Sequence, residues 1–226
     1  MIPKFAPHFE VLPPGQRELW PKLASAADLG CVLYGGTAIA LQLGHRSSVD
    51  FDFFSDRELS REHIMSALAF LKDSRLLQDQ TNTLTFLASS AAQEPVRVSF
   101  FGGINHGRVG SPRLTDDEVI QVASLDDLMA TKVKTVMQRI EAKDYQDIAA
   151  MLTAGMSLAK AMGSAVRMYG AANFQPSESI KALVYFEGGD LQDLADEDKR
   201  ILVQAVRGVR DLPQVEILSK VLALAE

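Results

Sequence analysis

The sequence predicts an α/β (α+β) protein, with a short mixed sheet in the first half of the chain and a helical part beginning near residue 123. Three observations carry that prediction. A glycine pair, Gly35-Gly36, separates a short apolar stretch of extended character from a helical one. The stretch from Ser48 to Ser55 alternates apolar and polar residues, the period of a half-buried strand. After Asp126 the apolar residues recur mainly at spacings of three and four, the period of a helix.

The elements follow in order. Residues 1–15 read as an arm, ended by Pro13-Pro14-Gly15. Residues 16–28 read as a helix leading to a buried strand at 31–34 (Cys31, Val32, Leu33, Tyr34). Gly35 and Gly36 end that strand, and Thr37 opens a helix through Leu43. On the next strand Val49, Phe51 and Phe53 are expected to face one way, and Ser48, Asp50, Asp52 and Phe54 the other. A helix is expected over 56–72, anchored by Leu59, Ile64, Leu68 and Leu71. Strands follow near 75–80, 83–88 and 95–101, then a loop at 104–117 and a strand near 118–123. Helices are expected at 126–140, 144–153, 157–169, 177–185, 196–209 and 212–225. The domains read as a core at 1–123, including the arm, and a helical domain at 124–226.

Composition narrows the class. The chain has 226 residues, 47% of them hydrophobic and 23% charged, as in an ordinary globular protein. Its single cysteine permits no intrachain disulfide, which fits a reducing cytoplasm. No apolar run is long enough for a membrane span, and the first residues lack a signal-peptide pattern. A net charge of −6 argues against a general nucleic-acid binder, although a local cleft can be basic. Aromatic residues make up 7%, and no RNA-stacking arrangement is legible.

The chemistry concentrates in YGGTAIALQLGHRSSVDFDFFSD. Glycines at a strand-to-helix turn let the backbone approach a ligand, and a helix N-terminus favours phosphate. Gly35, Gly36 and Thr37 are therefore candidate nucleotide-binding residues. Asp50 and Asp52 share a strand face at about 6.5–7 Å along the strand. Two carboxylates so placed suit a hard cation such as Mg²⁺. Taken alone, a Gly-Gly-Thr turn is usually only a turn and an Asp-x-Asp only a solvated face. Thr37, twelve intervening residues and then Asp50-x-Asp52, with strand, helix and strand in order, is far more specific.

A second stretch, DDLMATKVKTVMQRIEAKDYQDIAAML, places Lys132, Val136, Arg139 and Lys143 near one stripe if its helix is continuous. Such a stripe suits triphosphate charge; equally, it suits solvent-facing pairs such as Lys143 with Asp147. His45-Arg46 lies between the helix and the Asp strand, where Arg46 suits either an acid partner, a substrate phosphate or a helix C-terminal cap.

On these residues the chain resembles the nucleotidyltransferase superfamily related to DNA polymerase β. More closely, it resembles the AbiEii/AbiGii-type nucleotidyltransferase toxins over roughly residues 30–152. The matched positions are Gly36-Thr37, Asp50 and Asp52, then Lys132, Arg139, Lys143, Asp144 and Asp147. The resemblance implies a polymerase β-like nucleotidyltransferase core and transfer of a nucleoside monophosphate from an NTP to an acceptor hydroxyl. Asp50 and Asp52 would hold Mg²⁺ or Mn²⁺. Lys132 would neutralise the triphosphate, and Asp144 would orient a charged group or assist deprotonation. Arg46, Arg139 and Lys143 would join Gly35, Gly36 and Thr37 in binding nucleotide. It further implies a toxin with a separately encoded antitoxin, acting on tRNA or protein. Relatives of polymerase β often carry a third carboxylate on a later strand. Here that position holds Ser99, which puts the identity of the general base in doubt. A nucleotidyltransferase acting on a small, antibiotic-type molecule and a non-catalytic interaction protein of the same fold are the alternatives.

Overall fold

The computed structural model describes residues 2–90 and 94–224. They divide into two compact units. The first comprises residues up to Gly107, Ser111–Ser124 and the chain from Ser219 onward; the second comprises Arg108–Gly110 and Leu125–Leu218.

The first unit is built on one mixed sheet. Its described strands are β1 (Lys4–Phe5), β2 (Val32–Tyr34), β3 (Asp50–Phe54), β4 (Arg75–Gln80), β5 (Thr83–Ala88), β6 (Val96–Phe101), β7 (Arg113–Thr115) and β8 (Gln121–Val122), in the order β1-β7-β8-β2-β3-β6-β5-β4. The helices among them are α1 (Pro14–Leu19), α2 (Gly35–Leu43) and α3 (Arg61–Ala67). β2 and β3 are antiparallel, whereas β3 and β6 are parallel. The parallel pairing follows from the route of the chain. After β3 it crosses over through α3, and β4, β5 and β6 then form an antiparallel meander that returns to β3.

Alternation decides which sheet face is core. Phe51 and Phe53 are fully buried, while Asp50, Asp52 and Phe54 on the opposite face are half-buried. Phe53 stacks on Phe100 of β6 at 5.2 Å, and Trp20 approaches Phe51 at 6.2 Å. Burying each such ring contributes about 1.5–3 kcal/mol, and a slip of one residue would put the carboxylates there instead. Val49, expected on the core face, lies before the strand and is 60% exposed.

The expected arm is part of the sheet. Lys4 and Phe5 pair in parallel with β7, a three-residue strand inside the expected loop 104–117. The backbone at His8 and Val11 bonds to Leu41 and Ser48, next to the connection between α2 and β3. The expected helix over 16–28 is α1 from Pro14, continued by a 3-10 segment to Ala26, and the one over 56–72 is confined to α3 and a short 3-10 turn.

The second unit consists of α4 (Leu125–Thr135), α5 (Ala142–Thr153), α6 (Leu158–Tyr169), α7 (Pro176–Val184) and α8 (Asp196–Gly208). α4 packs on α5 and α6, and α8 packs on α5 and α7. Leu128, Met129, Val133, Ile148, Met151, Met162, Leu183 and Leu202 fill the interior. The Ser179 hydroxyl donates to the Val133 carbonyl at 2.6 Å and ties α7 to α4. The loop residues Val109 and Gly110 belong here because the buried Asp127 carboxylate accepts both of their N–H groups, at 2.7 and 3.1 Å.

The expected helix at 212–225 does not form in its described part. Val215 and Ile217 are half-buried while Glu216 and Leu218 are exposed, the two-residue period of an extended chain. Its last residue, 225, lies outside the described residues. Residues 219–224 are anchored to the first unit. The Gln121 side chain donates to the Leu224 carbonyl and accepts from its N–H, both at 2.8 Å, and Asp56 accepts from Leu222 at 2.9 Å. No single helix among the described residues is long and apolar enough to cross a membrane.

Candidate active site

β2, α2 and β3 bring the glycine pair and the two aspartates together. β2 is buried throughout and ends at Tyr34 in extended conformation. Gly35 then takes φ +73°, in the left-handed region that glycine tolerates best. A Cβ at Gly35 would stand 2.5 Å from Oδ2 of Asp52. A Cβ at Gly36 would collide with the Arg46 guanidinium and lie 3.3 Å from the Ser48 hydroxyl. The two glycines are thus required by close approach. One admits the Asp52 carboxylate to the first turn of α2, and the other admits Arg46. The start of a helix has N–H groups without helical partners and a partial positive charge, so a carboxylate is well placed there.

Thr37 is buried, and its hydroxyl serves the scaffold. It bonds the Ser48 hydroxyl at 2.8 Å and donates to the Asp50 backbone carbonyl. This latch fixes the start of α2 to the start of β3 and so sets where Asp50 begins. Ser48 joins the site through this contact, and its place two residues before Asp50, on the same alternating face, is the sequence signal that marks it. Arg46 donates through Nη1 to the Ser47 carbonyl at 2.9 Å while its other nitrogen lies over Gly36.

Asp50 and Asp52 project from one face of β3, both half-buried. Across the parallel pairing Asp52 is opposite Ser99, and Asp50 is opposite Arg97. The position beside Asp52 is therefore filled by a hydroxyl that is itself buried, 3.5 Å from the hydroxyl of Thr85 on β5. Two carboxylates and a hydroxyl are hard-oxygen donors of the kind that fits Mg²⁺ or Mn²⁺. Among the described residues no group of three or more His, Cys, Asp or Glu completes a metal site from protein alone.

The second-unit residues form a different kind of assembly. The helix expected at 126–140 ends at Thr135 and α5 begins at Ala142, so the continuous helix that a single basic stripe requires is not formed. The break at 136–141 folds Arg139 back onto Asp144. Lys132, whose side chain is 7% exposed, lies 2.5 Å from Asp144 and 2.6 Å from Asp147, both fully buried. Arg139 adds a two-pronged contact to Asp144 at 2.7 and 3.0 Å. The expected Lys143–Asp147 pair is replaced by Lys143 with Glu141 at 2.8 Å. Burial raises the Asp144 carboxyl, but the Arg139 hydrogen bonds and the Lys132 charge outweigh it and hold it below the usual carboxylate range. A carboxyl so held is a weak base and a firm anchor for a cation.

Comparisons with known proteins bear on the family of the chain. The family model described as nucleotidyl transferase AbiEii toxin, type IV toxin–antitoxin system, matches residues 22–218. An uncharacterised protein of Aquifex aeolicus (strain VF5) is 30% identical over 176 residues, covering 76% of this chain and 82% of that protein. A solved structure, an antigenic nucleotidyltransferase-like protein from Paracoccidioides brasiliensis, superposes with a TM-score of 0.49 at 14% identity, covering 91% of this chain and 96% of that one. With the family model spanning most of the chain, this protein belongs to the AbiEii family of nucleotidyltransferase toxins.

Proposed function

We infer that this nucleotidyltransferase moves a nucleoside monophosphate from an NTP to an acceptor hydroxyl. The acceptor oxygen forms a bond to the α-phosphorus, the bond from that phosphorus to the β-phosphate bridge breaks, and pyrophosphate leaves. The observation that carries this reading is the Gly35-Gly36 turn, which sets the first turn of α2 against Asp52 on the strand that also presents Asp50. Backbone N–H groups at Gly36 and Thr37 would face the β- and γ-phosphates, since the Thr37 hydroxyl is committed to Asp50 and Ser48. Asp50 and Asp52 would hold Mg²⁺ or Mn²⁺, and a divalent ion there supplies charge stabilisation for in-line displacement at phosphorus. Arg46, packed over Gly36, is the cation of the first unit best placed to meet a phosphate at that turn.

The resemblance assigns Lys132 and Asp144 to the reaction as well. Within their unit Asp144 and Asp147 fix the Lys132 ammonium, so Asp144 is read as a positioning residue and not as the base. Arg139 reinforces Asp144, and Lys143 contributes surface charge only. The biological reading is a toxin countered by a separately encoded antitoxin, with tRNA or protein as acceptor.

The experiment is incubation of the full chain with each radiolabelled NTP, Mg²⁺ and total tRNA, beside the D50A/D52A variant. Label in tRNA with wild type alone, and a fall of about a thousandfold or more in the variant with its melting unchanged, is the expected result. Transfer to a small cationic molecule instead would support the antibiotic-type alternative. Absence of nucleotide binding would support the non-catalytic one.

A further inference from the structure

We propose that the sheet face carrying Asp50 and Asp52 continues outward over β6, β5 and β4 as a binding platform for single-stranded nucleic acid, with Arg97 and Arg75 as its phosphate contacts and Phe54 and Phe101 as its base contacts. The word acceptor, applied to this strand, rests on the transfer reaction above; the platform itself does not.

The register builds the platform. Asp50 pairs with Arg97, Arg97 with Leu87, and Leu87 with Arg75, so one row across four strands reads Asp50, Arg97, Leu87, Arg75. The next row reads Asp52, Ser99, Thr85, Gln78, and the third reads Phe54, Phe101, Thr83, Gln80. Residues opposite one another on neighbouring strands share a face. The irregularity between Leu76 and Gln78 keeps Arg75 and Gln78 on the same side although they are three apart. Outward from the two aspartates this face therefore holds two arginines, hydroxyls, amides and an aromatic, and no acid. Asp79, the one acid on β4, falls on the other side, where it pairs with Arg61 at 3.0 Å.

Charge and shape select the occupant. Arg97 and Arg75 are both exposed, and no ion pair to either is formed among the described residues. In a protein of net charge −6, the stretch of this face beyond the two aspartates, with two exposed arginines and no acid, stands out. Their separation by β5 suits a ligand that repeats its negative charge. Phe54 and Phe101 are half-buried and meet edge to face at 5.2 Å on the same face, with Tyr34 stacked on Phe54 at 4.6 Å. A cationic track beside half-exposed aromatic rings is the chemistry that holds single strands, phosphates on arginine and bases on rings. A small cationic acceptor would meet the wrong sign here.

The face also fits the order of the reaction. The glycine turn flanks β3 on the β2 side, and the platform flanks it on the β6 side. A donor triphosphate at the first and an acceptor strand on the second would approach the aspartates from opposite directions, as in-line displacement requires.

The test is binding of a fluorescent oligouridylate to the full chain, followed by anisotropy across a salt series without NTP. Each phosphate contact on a single strand contributes about 0.7 to the slope of log K against log salt, so R75Q/R97Q should flatten the slope by about 1.4 and weaken binding about 25-fold at 0.1 M salt. F101L should weaken binding without changing the slope, and R200Q, in the second unit, should change neither. No oligonucleotide binding, or an unchanged slope in R75Q/R97Q, overturns the platform. Loss of labelled NTP binding in R75Q/R97Q with oligonucleotide binding intact also overturns it, by assigning the arginines to the donor. The D50A/D52A variant separates the two readings. If it binds the strand normally and wild type transfers nothing, the platform stands and the transfer reaction falls.

Discussion

The glycine–aspartate segment of the first unit and the lysine–aspartate group of the second carry similar numbers of charges and handle them in opposite ways. Asp50 and Asp52 stand half-buried on one face of β3, beside a buried serine and an exposed arginine. Lys132, Asp144 and Asp147 are sealed in a helical interior and satisfy one another. Like charges kept close and half-exposed invite a cation from outside, whereas opposite charges buried together need none. On the proposed function the first arrangement receives a metal ion, whereas the second holds a geometry.

That contrast can be broken or sharpened by substitution. The largest effect on folding is expected from K132M, which leaves Asp144 buried with Arg139 and takes the Lys132 ammonium away from buried Asp147. Removing one partner of a buried pair costs about 3–5 kcal/mol, measurable as a loss of denaturation midpoint in the helical unit. A smaller loss would mean that the acids protonate or rehydrate easily.

G35A comes next. The left-handed φ and the crowded Asp52 carboxylate together should cost about 1–3 kcal/mol. Because Asp52 must move, nucleotide transfer should fall more than stability does; equal falls would make the glycine merely structural.

Acid titration gives a third test. The Asp144 carboxyl is lower in the folded chain than its ordinary value of about 3.9, so its stabilisation is present above that pH and is lost as pH falls through the folded value. The stability gap between wild type and D144N should therefore shrink below about pH 4. The smallest effect is expected from K143A, an exposed pair with Glu141, at about 0–1 kcal/mol.

By itself the sequence determined the parts of this protein that depend on short range. Alternation in DFDFF decides which side chains are core and which are carboxylates on a face, and Gly35-Gly36 announces a backbone that must pass close to something. The helices from 142 to 208 were legible for the same reason, since three- and four-residue spacing is a local property. Tertiary structure decided the rest. Only strand register places Arg97 beside Asp50, and it sets Ser99, the position the resemblance picks out, opposite Asp52, across more than forty residues of chain. The stacking face of Phe54 and Phe101, not legible as an arrangement in the sequence, comes from the same pairing. The stripe drawn through Lys132, Arg139 and Lys143 failed because the helix breaks after Thr135, and buried Asp144 then gains more from Arg139 than an unbroken helix would offer. The last segment, apolar enough to read as a helix, is extended, and its backbone finds its partners on Arg108, Asp56 and Gln121 instead of within a helix. Periodicity is written residue by residue, whereas partners for backbone and charge are supplied by whatever the fold brings alongside.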